Sequence, residues 1–263
     1  MTDLGNEDLG VSVSEDELVV RATIDRPEKR NALNDNVILG LAEVLEAADE
    51  GPARVVVIRG AEGTFCSGGD LTGFPIGQGV MAYRENFGAL AALIDIMQDT
   101  DALTVAAVEG YCLAGGLGLA SACEFVLATE DATFGTPEVD VGLFPAQAMA
   151  PISRAGSEKA VLKLLFTGDR IDAAEAHRIG LTTDLVDPDE FDAELDEFVD
   201  TLANNSPALI AIGKESYYEQ RDMDFPQALA YLKEIITMIA LTDDFEEGIN
   251  AFLTDSEPDW RRR

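Results

Sequence analysis

The chain has 263 residues, with 18 Lys plus Arg against 50 Asp plus Glu, one His and three Cys, for a formal net charge of −32. That length buries a real core without disulfide staples, and Cys66, Cys112 and Cys123 show no metal-ligand spacing, so reduced thiols that serve packing are expected. The charge excludes a phosphate-backbone partner, no run approaches the roughly 20 apolar residues of a membrane span, and the acidic start "MTDLGNEDLG" lacks the basic lead of a secretory signal, which points to a cytoplasmic protein with no nucleic-acid or membrane partner.

In chain order, "VSVS" and "LVVRATI" alternate apolar and polar residues on either side of "EDE" and predict a hairpin. A Pro-containing turn, "DRPEKRNALN", follows, and Asn34 or Asp35 is placed to cap a helix through "VILGLAEVLEAADE". The β-branched run "ARVVVIRG" predicts a buried strand. A long helical stretch then leads to two further strands, "LTVAAVEG" and "EFVLAT", with a glycine cluster between them. Strand, loop and helix recur, which predicts an α/β fold with buried strands.

From Pro188 onward the pattern is helical, over 189–204, 207–220, 226–241 and 243–253. The expected organisation is a core over 1–187 with the helical region 188–263 in the same functional unit, and "NNSPAL" as the candidate hinge. The lone His177, on a helix far in sequence from any partner, is expected to be structural. Acidic residues crowd presumed outer faces, as in "DPDEFDAELDEFVD". This pattern resembles the surface of a halophile's cytoplasmic protein, haloarchaeal in type, where high salt screens carboxylate repulsion.

Two glycine loops each follow a buried strand: "RGAEGTFCSGGDL" (59–71) and "VEGYCLAGGLGLA" (108–120). Glycine lets backbone N–H groups approach a ligand closely, and a helix starting near Gly116 adds its positive end. Two such loops side by side suit an oxyanion hole for a carbonyl that gains negative charge. A phosphate loop is disfavoured, because "GGLGLA" carries neither the Lys nor the Ser/Thr that such a loop needs.

The segments "RPEKRNALN", "FCSGGDL", "VAAVEGYCLAGGLGLASAC", "ATFGTPEVDVGLFP" and "LLFTGDRIDAAEAHRIGL", in this order over about residues 10–255, resemble the crotonase, or enoyl-CoA hydratase/isomerase, superfamily. The resemblance implies a spiral of repeated ββα units with a C-terminal helical trimerisation region, assembled as a homotrimer or dimer of trimers. It implies an acyl-CoA thioester substrate, a stabilised enolate, no metal, and no cofactor beyond the coenzyme A of the substrate. Carried onto this chain, the oxyanion donors fall on the N–H groups of Gly69 and Gly115 and the acid/base on Glu138 in "GTPEVD". CoA contacts fall on Ser67, for adenine, and on Lys29 and Arg30, for phosphates.

Three departures shape the functional expectation. The glutamate that family hydratases carry three residues after the second oxyanion glycine is replaced by Gly118, which as a glycine is expected to leave room for a restored carboxylate. The aspartate that dienoyl-CoA isomerases place eight residues beyond Glu138 is replaced by Ala146, and "LTDSEP" stands where a basic element follows the last helix. Glu124 and Asp140 are the nearby substitute carboxylates. The expected function is an enoyl-CoA hydratase. The alternatives are an enoyl-CoA isomerase that moves the double bond from C3 to C2 using Glu138 alone, and a crotonase-fold protein that binds CoA esters without turnover.

Overall fold

The run "VVVI" at 55–58 is apolar at four successive positions, so no side of that strand tolerates water, and the fold covers both faces. In the computed structural model, which describes residues 4–260, this run is β3 (Val55–Gly60). It lies third in a six-stranded sheet whose other members are β1 (Leu9–Val13), β2 (Val19–Ile24), β4 (Leu103–Val108), β6 (Phe125–Thr129) and β9 (Asp184–Val186). Their order is β1-β2-β3-β4-β6-β9. The expected hairpin is the one antiparallel pair of that sheet, with Leu9 opposite Ile24, and the remaining pairs are parallel. A small second sheet is formed by β5 (Tyr111–Leu113), β7 (Thr133–Gly135) and β8 (Arg170–Asp172).

Alternate strand residues serve opposite faces, as the pleat requires. Val20, Ala22, Val56, Ile58 and Ala106 join one core with the apolar sides of α1 (Asp35–Glu50) and α2 (Val80–Asp99). Val19, Val55, Val57, Val105 and Leu127 join another under α7 (Phe191–Ala203), through Phe191, Leu195 and Val199. The helix α7 therefore completes the sheet sandwich, although its sequence falls in the region expected after 187. Between the glycine loops and α7 run α3 (Gly115–Ala122), α4 (Met149–Ala155), α5 (Glu158–Thr167) and α6 (Ala173–Ile179).

The chain closes with α8 (Pro207–Gln220), α9 (Phe225–Ile239) and α10 (Asp243–Thr254). Ser206, in the expected hinge, is buried: its hydroxyl bonds Asp244 and accepts from the Leu209 N–H, which pins the segment. Lys214 of α8 is also buried, and its Nζ donates to the carbonyls of Met97 and Ala102 at 2.7 and 2.8 Å. By contrast α9 and α10 leave Phe225, Leu229, Ile236, Met238 and Phe252 exposed.

Candidate active site

The two glycine loops meet. A Cβ on Gly115 would stand 3.7 Å from the Gly69 nitrogen, and one on Gly68 would lie 3.6 Å from the Gly115 nitrogen. Gly115 is the first residue of α3, so its N–H has no acceptor within the helix, and among the described residues neither it nor the Gly69 N–H donates to any group. Two free donors at the positive end of a helix, faced by Leu33, Leu90 and Phe74, are fitted to an oxygen that gains charge in an apolar setting.

Each loop is braced from beneath. The first hangs on Asn31, fully buried with a left-handed φ of 55°, whose amide donates to the carbonyls of Ala61 and Thr64 and accepts from the Arg26 N–H. Arg26, also buried, donates to the Ala32 carbonyl at 2.6 Å and to Asp70 at 2.8 Å. Hydrogen bonds from Thr72 and then from Arg26 hold the Asp70 carboxyl down at about 2, so it stays ionised beside Gly69. In the second loop Ala114 stands at φ 53°, ψ −127°, a conformation that costs a residue with a Cβ roughly 1–3 kcal/mol. Its N–H donates to the Gly135 carbonyl at 2.8 Å, which holds it there.

That same bond ties the second loop to Glu138. β5 and β7 pair Leu113 with Gly135, and Glu138 follows three residues later in a short 3-10 turn, Pro137–Val141. The turn is fixed by the buried Thr136 hydroxyl, which donates to the Leu164 carbonyl at 2.8 Å. Oxygen Oε2 of Glu138 is buried and has no hydrogen-bond partner among the described residues. Burial raises its pKa above the ordinary 4.5. A carboxylate oxygen buried without a partner is costly, which marks Glu138 as a candidate acid or base.

A match to the enoyl-CoA hydratase/isomerase family spans residues 14–263. This chain belongs to that family. It is 31% identical over 257 residues to 2,3-dehydroadipyl-CoA hydratase of Escherichia coli strain K12, covering 95% of this chain and 98% of that one. It is 31% identical over 237 residues to crotonyl-CoA hydratase of Syntrophomonas wolfei, covering 88% and 89%. The crystal structure of an enoyl-CoA hydratase from Mycobacterium smegmatis superposes with a TM-score of 0.92 at 28% identity, over 97% of this chain and 99% of that one.

Within this enoyl-CoA hydratase/isomerase fold, the Gly118 expectation is overturned. Its space is taken: a Cβ there would come 2.8 Å from the Ala148 Cβ and 2.9 Å from the Ala148 Cα. α4 has closed onto α3 at the point where family hydratases carry a glutamate, so no room remains for a restored carboxylate. Glu124 is spent on structure. Its Oε2 accepts from the Thr104 N–H and hydroxyl, and its Oε1 accepts from the Tyr218 hydroxyl at 2.7 Å, with Lys214 Nζ at 3.3 Å. Asp140 is exposed, in the same turn as Glu138.

The CoA residues expected by resemblance do adjoin the first loop. The Ser67 N–H donates to the Arg30 carbonyl at 3.0 Å and its hydroxyl to the Lys29 carbonyl at 3.2 Å. Lys29 and Arg30 are both exposed, and Arg30 takes a left-handed φ of 51°. The three cysteines are buried free thiols; burial pushes Cys66 and Cys123 up to about 12. His177 bonds the Thr182 hydroxyl.

Sequence reasoning missed the bracing pair Arg26 and Asn31, although the motif "RPEKRN" held both. It also missed Ala148, which no local pattern links to Gly118.

Proposed function

We propose that the protein is an enoyl-CoA hydratase that adds water across the double bond of a 2-enoyl-CoA thioester. The observation that carries the reading is the Glu138 Oε2, buried and without a hydrogen-bond partner among the described residues, in the turn that the Leu113–Gly135 pairing ties to the Gly115 loop. The thioester oxygen accepts from both N–H groups, and Glu138 takes a proton from water as its oxygen bonds to C3. The resulting enolate is held by the two donors, one of which is worth about 2.7–4 kcal/mol in other oxyanion holes. Glu138 then delivers that proton to C2, so water is consumed entirely in the product. No metal or cofactor enters this sequence.

A second reading, 3-enoyl-CoA to 2-enoyl-CoA isomerisation, is favoured by the Gly118–Ala148 contact, which leaves Glu138 as the single carboxylate. In that reaction Glu138 moves one proton from C2 to C4 and no second group needs to orient water. The third reading, a binder without turnover, gives the dry Glu138 oxygen nothing to do. Rates on 2-enoyl- and 3-enoyl-CoA in molar KCl, with wild type and Glu138→Gln, separate the three. The exposed apolar sides of α9 and α10 support assembly as a homotrimer or dimer of trimers, and the −32 charge supports a cytoplasmic protein of halophile type.

A further inference from the structure

A water that attacks C3 needs an acceptor besides Glu138. Glu138 takes one of its protons, and the other has to be held away from the substrate if a lone pair is to face C3. The position three residues past Gly115 is Gly118, which has no side-chain oxygen to offer, and Ala148 fills its space: a Cβ there would come 2.8 Å from the Ala148 Cβ. The residue beside Ala148 does carry an oxygen. Gln147 is half-buried, and its Nε2 donates to the Phe87 carbonyl of α2. With the nitrogen fixed on an acceptor, the amide turns its oxygen the other way, and among the described residues Oε1 accepts from no group.

Backbone contacts bring Gln147 to the site from both ends of its segment. Upstream, residues 142–148 leave directly from the Glu138 turn, where the Leu143 N–H donates to the Glu138 carbonyl at 3.0 Å. Downstream, they land on α3 at Gly118, about one helical turn beyond the Gly115 donor. The Met149 N–H donates to the Pro145 carbonyl at 2.8 Å and the Ile152 N–H to the Ala148 carbonyl at 3.2 Å, which holds this run as the lead-in to α4.

Phe87, the partner of Gln147, is tied to the oxyanion pair. Its ring meets Phe74 edge-on with centroids 5.6 Å apart, and a Cβ on Gly69 would lie 3.9 Å from the Phe74 Cε1. Leu90, three residues along the same helix, stands 3.6 Å from the corresponding point on Gly115. Gln147 therefore joins the segment that follows Glu138 to the helix that faces both donors. A neutral amide suits that place, because a second carboxylate beside Glu138 would oppose its ionisation where burial already does.

We propose that Gln147 orients the attacking water in place of the carboxylate absent at position 118, its Oε1 accepting from one water O–H while Glu138 takes the other proton. The inference rests on the hydratase reading above. The O–H bond directed at Glu138 breaks as the water oxygen bonds to C3, the C2–C3 π pair moves onto the thioester oxygen, and Glu138 then returns the proton to C2. The proton held by Gln147 stays on its oxygen as the 3-hydroxyl of the product, so the amide is unchanged.

The test compares wild type, Gln147→Met and Gln147→Glu in molar KCl, with hydration read on crotonyl-CoA, isomerisation on 3-hexenoyl-CoA and affinity by calorimetry with butyryl-CoA. Methionine keeps the length of glutamine without either polar atom. Gln147→Met is expected to lower kcat for hydration about 10²-fold, with KM and butyryl-CoA affinity within about twofold. Isomerisation adds no water and is expected to stay within about twofold. Gln147→Glu gives up the donor to Phe87 but keeps an acceptor, and is expected to hydrate at least about tenfold faster than Gln147→Met. If Gln147 only braces α2 against α4, both variants lose the same bond and depress both reactions alike, and that result overturns the role. Hydration at the wild-type rate in Gln147→Met overturns it while the hydratase reading stands. A wild type that adds no water overturns the hydratase reading and this role with it.

Discussion

Gly115→Ala separates chemistry from folding. The added Cβ meets the Leu33 Cδ1 and Leu90 Cδ2 at 3.6 Å and the Gly69 nitrogen at 3.7 Å, all ordinary contact distances. Gly115 is also absent from the residues with positive φ, so alanine adopts its backbone without strain. Replacing glycine at such a site lowers the entropy of the unfolded chain, and the variant is expected to be as stable as wild type or up to about 1 kcal/mol more stable. The methyl group, however, stands within contact distance of the Gly69 N–H, where the thioester oxygen must approach. Disturbing one donor of an oxyanion pair costs about 10² to 10³ in kcat, and that loss is expected here. Crotonyl-CoA hydration and thermal melting, both in molar KCl, check the two halves together. A variant with near wild-type kcat and intact binding refutes the assignment of the oxyanion hole to this loop; one that loses activity only because it unfolds refutes the packing argument.

The other predictions follow from Glu138, Gly118 and the charge. Because burial raises the Glu138 pKa, the stability linked to its protonation is complete below about 4.5 and is lost as pH rises through the raised value, so Glu138→Gln is expected to melt higher than wild type near pH 8, with the gap closing on acidification. Melting curves across that range would show instead a constant gap if Glu138 were solvated. Gly118→Glu forces its Cβ against Ala148 and is expected to destabilise by about 1–3 kcal/mol, or more, with no gain in hydration, measured by denaturant titration and by assay. Lowering KCl from molar to about 0.1 M lengthens screening from roughly 3 to 10 Å and should lower the melting temperature and loosen the assembly; an unchanged melting temperature and mass would remove the halophile reading.

What the sequence showed of this fold was what has a period or a cap. The hairpin, β3, β4 and β6 carry β-branched runs, Asn34 does cap α1 by accepting from the Val37 N–H, and the four C-terminal helices fall within a few residues of their amphipathic pattern. β5, β7 and β8 have three residues each, too few to display alternation, so the sheet that carries Tyr111 and Arg170 was invisible. At the site, the glycine loops were legible as paired clusters after buried strands, and Glu138 through the resemblance of "GTPEVD" to a family motif. The filling of Gly118 was not, because it depends on how two helices pack, and a lone glycine reads equally as an opening or as a close approach. The roles of Arg26, Asn31 and Lys214 are long-range for the same reason: Arg26 reaches the Asp70 carboxylate, and Asn31 and Lys214 satisfy carbonyls that only the folded chain brings near.

The central claim is that Glu138, working beside the Gly69–Gly115 pair, is the proton carrier for water addition to an enoyl-CoA. The direct measurement is the crotonyl-CoA hydration rate of wild type and Glu138→Gln in molar KCl, with CoA-ester affinity measured alongside. The account predicts that wild type hydrates the substrate and that kcat falls by about 10² to 10⁴ in the variant while affinity stays within about twofold, since the amide keeps the size of the carboxylate but carries no proton between water and C2. A variant that hydrates crotonyl-CoA at the wild-type rate would contradict it.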